Sequence, residues 1–380
     1  MNGDDAVNKV SSPAQVAFLA RTFADTASSY KFFWLIGLLK LLQDGDRLSV
    51  TAVVEEMVVT AWYPVVLYRL SLGHHDRLQN LLLDLAAHSG LPGQAREQDV
   101  RQALKGWDEA RGRLENLGRY VPTRFLAPWF ADALEPSMRD DRRTRAIIEL
   151  AARRVFDGAS APYSLSFGRL GETELSMDPV WRSWLMDASP VVRGLAERKL
   201  SQFLQARNPN APGIPGKLGP PPIRDLGPAR RFFATAAKHG VTLIDIFTDA
   251  PLDVTFSVDH FLPRCFLAHD LIWNLAPATP QTNRAKSDSV PDLRYIPPLA
   301  RLHHQLVRSD CATARIAEDY VAALRTDFST LRTASDQNFI ERYLDLYRPL
   351  TQIAANQGFA CGWSPSPPSN TLVEPALRQG

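Results

Sequence analysis

Cysteine is scarce in this sequence: 380 residues hold only Cys265, Cys311 and Cys361, far apart and without a C-x-x-C pair. That excludes a disulfide framework and a cysteine-based zinc knuckle, and it fits a reducing, cytoplasmic setting. Excess charge of one sign is also missing. Lys and Arg number 43 against 41 Asp and Glu, a net charge of +2. The chain is no polycation, so any nucleic-acid contact must come from local basic patches. Long apolar runs are lacking too. Phe32 to Leu42 is interrupted by Lys40 and falls well short of the roughly 20 residues a membrane span needs. It reads as a buried helix, and no membrane partner is expected. The opening Met-Asn-Gly-Asp-Asp is acidic and polar, the wrong start for a signal peptide. There is no internal repeat and no low-complexity tract.

What remains is ordinary globular composition, 45% hydrophobic and 22% charged, long enough for two or three domains at about 150 residues each. Residues 1–120 read as a helical N-terminal domain. Phe33, Leu35, Ile36, Leu38, Leu39 and Leu42 fall near helical spacing, Pro64 divides or kinks the next apolar segment, and Glu97 to Leu117 alternates charges as a solvated helix does. A mostly helical middle region, 121–245, contains Tyr163 to Met177, whose partial alternation predicts a short hairpin. A helix follows over Pro179 to Ala206, with Trp181, Trp184 and Leu185 on one side. Asn208 to Pro228 then carries seven prolines and four glycines in 21 residues, which no regular helix or central strand accepts. It lies in a basic stretch, nine Lys or Arg against two acids from Val191 to Gly240. Such stretches are mostly solvated surface, but this one shortly precedes the chemistry-bearing segment, so phosphate binding is the second reading. Residues 298–380 form a helical C-terminal region with three helices, Pro298 to Arg308, Ile316 to Leu324 and Asn338 to Ala355. The Pro/Ser-rich tail from Ser364 is expected to fray.

The chemistry concentrates between Val258 and Pro291. Phe256 to Phe261 reads as a short strand with Asp259-His260 near its end, closed by Pro263. Trp273 to Pro277 reads as a second strand. Thr279 to Asp288 is helix-compatible, with Thr279 as N-cap, Pro280 at the first helical position and Pro291 beyond the end. Hydrolysis of a phosphodiester needs a base to deprotonate water, and His260 is the side chain suited to that. It needs a hard cation beside the phosphate, for which Asp259 and Asn283 offer oxygens. Asn274 could hold the His-bearing loop by bonding its backbone, and would serve equally as a turn-forming Asn. Lys286, three residues after Asn283, shares its helical face. Lys286 and Arg284 fit a solvated helix face as well as a phosphate contact. Neighbouring residues of a regular strand point to opposite faces, so Asp259 and His260 converge only if the strand ends or bulges there. His269, in the loop between the strands, reads as exposed; the adjacent pairs His74-His75 and His303-His304 lack the i, i+4 spacing of a helical metal site and read as structural or surface. Cys265 reads as small and buried.

The run Asp259-His260-x-x-Pro263, a central Asn274, then Asn283-x-x-Lys286-Ser287-Asp288 resembles the HNH endonucleases, and especially the HNH nuclease domain of the CRISPR RNA-guided effectors. The resemblance covers about 34 residues of 380 and is carried by several identities at fixed spacing. It implies a two-stranded ribbon and a helix around one metal ion, so the expected fold is mainly α with a small ββα-metal module at 246–297, α+β overall. It implies that Asp259 and Asn283 bind the metal, that His260 is the general base and that Asn274 orients it. Arg264, Arg284 and Lys286 would grip the nucleic acid. An oxygen-rich ligand set favours Mg²⁺ or Mn²⁺. The expected activity is endonucleolytic, on DNA rather than RNA, in restriction or defence against foreign DNA. RNA guidance is not implied, the chain being too small for that machinery. Two other readings stand beside this one: a partner- or ligand-gated scaffold with the nuclease as regulated effector, and an RNA nuclease. A homodimer or protein partner would engage the helical regions.

Overall fold

The computed structural model describes residues 13–24, 27–153, 161–166, 173–253 and 255–366. The chain divides into two compact units, Met1–Pro221 and Pro222–Gly380. Among the described residues it is mainly α, with three small sheets.

In the first unit the described helices are α1 (Pro13–Thr22), α2 (Tyr30–Leu41), α3 (Val50–Trp62), α4 (Arg77–Ser89), α5 (Glu97–Lys105), α6 (Asp108–Leu126), α7 (Asp140–Ala152), α8 (Pro179–Asp187) and α9 (Ser189–Arg207). Helix α2 is apolar nearly all round, with an unbroken buried run from Phe32 to Leu39, the signature of a central core helix. It packs along α3, and Gly37 permits the close approach: a Cβ there would lie 3.0 Å from the Val53 carbonyl oxygen. Val50–Leu67 has the length and hydropathy of a membrane span, and 78% of it is buried inside the protein. A buried carboxylate, Glu56, sits on this segment and is held by Arg101 at 2.5 and 2.9 Å. The expected hairpin is present as β2 (Tyr163–Leu165) and β3 (Glu174–Met177), antiparallel; the residues joining them lie mostly outside those described. A third strand, β1 (Arg47–Ser49), pairs with β3 in the register Leu48↔Leu175. Residues read from sequence as an N-terminal and a middle domain thus share one sheet.

In the second unit α10 (Gly227–Lys238) precedes an antiparallel ribbon, β4 (Ser257–His260) and β5 (Leu275–Ala278). The short helix α11 (Arg264–Leu267) lies between them, and α12 (Pro280–Lys286) follows. The capping signals read from sequence are made: the Thr279 hydroxyl accepts from the Thr282 amide, with Pro280 at the start of the helix. Then come β6 (Val290–Pro291), α13 (Ile296–Arg308), α14 (Ala314–Leu324), α15 (Phe328–Thr333), α16 (Asp336–Asn356) and β7 (Cys361–Trp363), which pairs parallel with β6. Ser364, expected to fray, meets the Tyr295 hydroxyl at 2.8 Å; the tail from 367 onward lies outside the described residues.

The ribbon rests on α13 and α16. Leu299, Leu302, Leu306, Phe339, Tyr343 and Tyr347 are buried there. Two polar atoms of this core reach the ribbon. The Tyr347 hydroxyl donates to the Trp273 carbonyl at 2.9 Å, and His303 Nε2 donates to the Leu275 carbonyl at 2.9 Å. His303 Nδ1 then accepts from the Tyr320 hydroxyl at 2.6 Å. His303 is fully buried, and burial lowers it to about 3. Below pH 6.5 the unfolded chain protonates this residue while the folded one does not. Stability is therefore expected to be full above about pH 6.5 and to fall steadily as the pH drops towards 3. Urea midpoints measured across that window should flatten in His303→Gln relative to wild type; an unchanged slope would locate the acid sensitivity elsewhere.

Candidate active site

The ribbon register places Asp259 opposite Ala276 and His260 opposite Leu275. His260 is the last residue of β4, and the ladder continues one step beyond it, the Phe261 amide donating to the Asn274 carbonyl at 2.8 Å. Asn274 lies in the turn just before β5 rather than on the strand. Its side chain clamps the chain after His260 from both sides. Oδ1 accepts from the Leu262 amide and Nδ2 donates to the Leu262 carbonyl, each at 2.9 Å. Asn274 is completely buried, so this pair of bonds is made without competition from water. The turn-forming and loop-holding readings of Asn274 are one arrangement.

Asp259 and His260 are both buried, at 5% and 4% exposure, and they face different partners. Asp259 looks toward α12, where Lys286 Nζ stands 3.1 Å from its Oδ2. That oxygen has an ion-pair contact yet no hydrogen bond of proper direction. Burial raises the Asp259 carboxyl to about 6, against the opposing pull of Lys286. His260 looks toward the loop, where its Nε2 meets Asp270 Oδ1 at 2.8 Å. Burial lowers the imidazole below its usual range, with Asp270 pulling the other way. Asp270 also takes Arg264, Nε to Oδ1 at 2.7 Å. Hydrogen bonds from His260 and Arg264 hold Asp270 far below the usual carboxylate range, although its burial opposes them. An ionised Asp270 accepts from Nε2–H, which leaves Nδ1 as the ring atom with the free lone pair.

Two expected nucleic-acid contacts are corrected here. Arg264 is buried, its guanidinium committed to Asp270 and to the Pro222 carbonyl at 3.2 Å. Lys286 is buried on Asp259, because the face of α12 that it shares with Asn283 turns towards β4. Arg284 is exposed, as expected. Asn283 is half-buried one turn before Lys286. His269 is half-buried against Trp273 rather than exposed. His303 and His304 are buried structural residues, while His74 and His75 are exposed.

Three contributors escaped the sequence reading. Asp270 is one. Asp245 is another: it is fully buried, its Oδ2 accepts from the Thr279 amide at 2.9 Å and its Oδ1 from the Phe247 amide at 3.0 Å, tying the start of α12 to the chain before β4. Arg224 is the third. It is exposed, forms no ion pair among the described residues, and its charge lowers both Asp259 and His260. Only its place in the basic stretch hinted at it.

Asp259 and Asn283 are the residues that would hold a divalent cation, and their oxygens are of the chemical kind it takes. Asp259 presents a buried, incompletely bonded carboxylate oxygen, and Asn283 adds an amide oxygen on the adjoining helix face. Both are hard donors of the kind Mg²⁺ and Mn²⁺ take. Among the described residues no three His, Cys, Asp or Glu side chains gather around a common point, so a soft-donor zinc site is not offered there.

An antiparallel ribbon and a following helix, with a buried Asp-His pair at the end of the first strand and an Asn on the helix, form a small ββα module. Residues 245–292 match the family described as HNH endonuclease, and on that segment the chain carries an HNH module of that family. The match is to HNH endonucleases at large and shows no particular kinship with the RNA-guided effectors. No solved structure matches the chain.

Proposed function

We propose that this protein is a metal-dependent endonuclease that hydrolyses phosphodiester bonds in DNA, with Mg²⁺ or Mn²⁺ held by Asp259 and Asn283. The observation that carries the reading is the His260–Asp270–Arg264 chain at the end of β4. It holds a neutral imidazole in one tautomer, as a general base near neutral pH requires. His260 accepts the proton of the attacking water at Nδ1, and Asp270 stabilises the imidazolium that forms. Asn274 fixes the backbone that carries the base. Arg224 and Arg284, both exposed, grip the phosphate backbone in place of Arg264 and Lys286. When bound, the cation supplies charge stabilisation at the phosphate and the leaving oxygen. A defence role against foreign DNA follows from analogy alone.

The test is incubation of the purified chain with supercoiled plasmid and, separately, with a structured RNA, in Mg²⁺, Mn²⁺ or EDTA. Expected is cutting of the plasmid in either metal, none in EDTA, and slower or no cutting of RNA. A His260→Ala preparation reports any contaminating nuclease. RNA cut faster than DNA would reverse the substrate, and cutting that survives EDTA would remove the metal.

A further inference from the structure

The first unit contains a cavity of about 730 Å³ bounded by α2, α4, α6 and α7. This is the size of a small-molecule site, and its lining mixes cations with apolar side chains. Three cations from distant parts of the chain line it: Lys31 on α2, Arg77 on α4 and Arg143 on α7. Arg77 and Arg143 have no acidic partner among the described residues. The first turns of α2 and α4 meet there, the Tyr30 hydroxyl accepting from the Arg77 amide at 3.1 Å, and helix N-termini add positive potential. The acids nearby are engaged. Asp140 takes Arg124 at 3.2 Å, and Asp76 caps α4 by accepting from the Leu78 and Gln79 amides. Leu117 and Val121 on α6 and Ile147 on α7 add apolar lining. Leu117 and Val121 are one turn apart on α6, so these two form a continuous stripe.

We propose that this cavity binds a small phosphorylated molecule of nucleotide size, its phosphates on Lys31, Arg77 and Arg143 and its less polar body against the α6 stripe. A concave site lined by both cations and apolar side chains suits an anion with a compact apolar part. Guanidinium groups without carboxylate partners are open to bidentate bonds from phosphate oxygens. The site is independent of the nuclease residues, so its test leaves the nuclease reading untouched.

The experiment is isothermal titration of the full chain with ATP, GTP, inorganic tripolyphosphate and a single-stranded oligonucleotide, for wild type, Arg77→Ala/Arg143→Ala and Arg77→Lys/Arg143→Lys. Arg77 is exposed and Arg143 half-buried, so circular dichroism should report an unchanged fold in both variants. Expected is one-to-one binding of at least one nucleotide, weakened about tenfold or more by the alanine pair and by less in the lysine pair. Three outcomes overturn the proposal: no probe binds wild type, the alanine pair leaves binding unchanged, or a single-stranded oligonucleotide binds through these residues while the nucleotides do not. Tripolyphosphate binding as tightly as the nucleotides would overturn the role given to the apolar lining.

Discussion

His260→Ala is expected to lower plasmid cleavage by about 10²- to 10⁴-fold, the usual contribution of a positioned general base, while the protein remains folded. The fold should survive because the partner of His260 is not left alone. Asp270 keeps Arg264 at 2.7 Å, so no unpaired charge is created. Asp270→Asn separates base from orientation. It retains the imidazole but replaces the carboxylate with an amide that can turn either its oxygen or its NH2 to Nε2, so the tautomer is no longer fixed, and a loss of about tenfold or more is expected from the misplaced lone pair. It also takes away the group that raises His260 against its burial, so the acid limb of the pH–rate profile should move further down. Single-turnover rates across pH 5 to 8, with circular dichroism on each variant, decide the matter. Full activity in His260→Ala would move the active site elsewhere.

The second large effect concerns stability and runs in two directions. Asp259→Ala leaves the Lys286 ammonium, 1% exposed, without its counter-charge. Breaking a buried pair in this way costs about 3–5 kcal/mol. The pair itself is poorly favoured, since burial lifts the Asp259 carboxyl to about 6 despite Lys286 beside it. Asp259→Ala/Lys286→Met should therefore regain most of the lost stability in urea unfolding measured in EDTA. Cleavage should not return in the double variant, because the metal carboxylate is still missing. Stability and cleavage recovering together would show that Asp259 acts only through Lys286 and would remove it from the metal site.

The parts of this site that depend on short-range rules were legible in the sequence. The order strand, loop, strand, helix follows from local apolar runs and from the Thr279-Pro280 start of the helix, and the HNH spacing marked Asp259, His260, Asn274 and Asn283. What was not legible depends on where a side chain turns in three dimensions. Asp270 reaches His260 because α11 ends at Ala268 in the left-handed conformation, φ 61°. That reverses the chain and brings position 270 back to positions 260 and 264. An alanine gives no warning of such a turn, which glycine or asparagine would have signalled. For Lys286, the i, i+3 relation to Asn283 gave the shared face but not its direction. A lysine on a short polar helix reads as solvated, and only the neighbouring carboxylate makes burial tolerable. In the first unit, β1 is three residues long and pairs with a strand more than a hundred positions away, so no local pattern identifies it.

The bonds that α13 and α16 make to the ribbon and the turn before β5 set the limits of any fragment meant to carry the HNH module. The family match ends at residue 292, but the carbonyls of Trp273 and Leu275 are satisfied by Tyr347 and His303. The strand leaving α12 is paired with residues 361 to 363. A fragment cut at the edges of the match would expose those carbonyls and lose that strand's partner. A fragment that keeps all of these bonds runs from Pro222, whose carbonyl receives Arg264, through Ser364, which meets the Tyr295 hydroxyl.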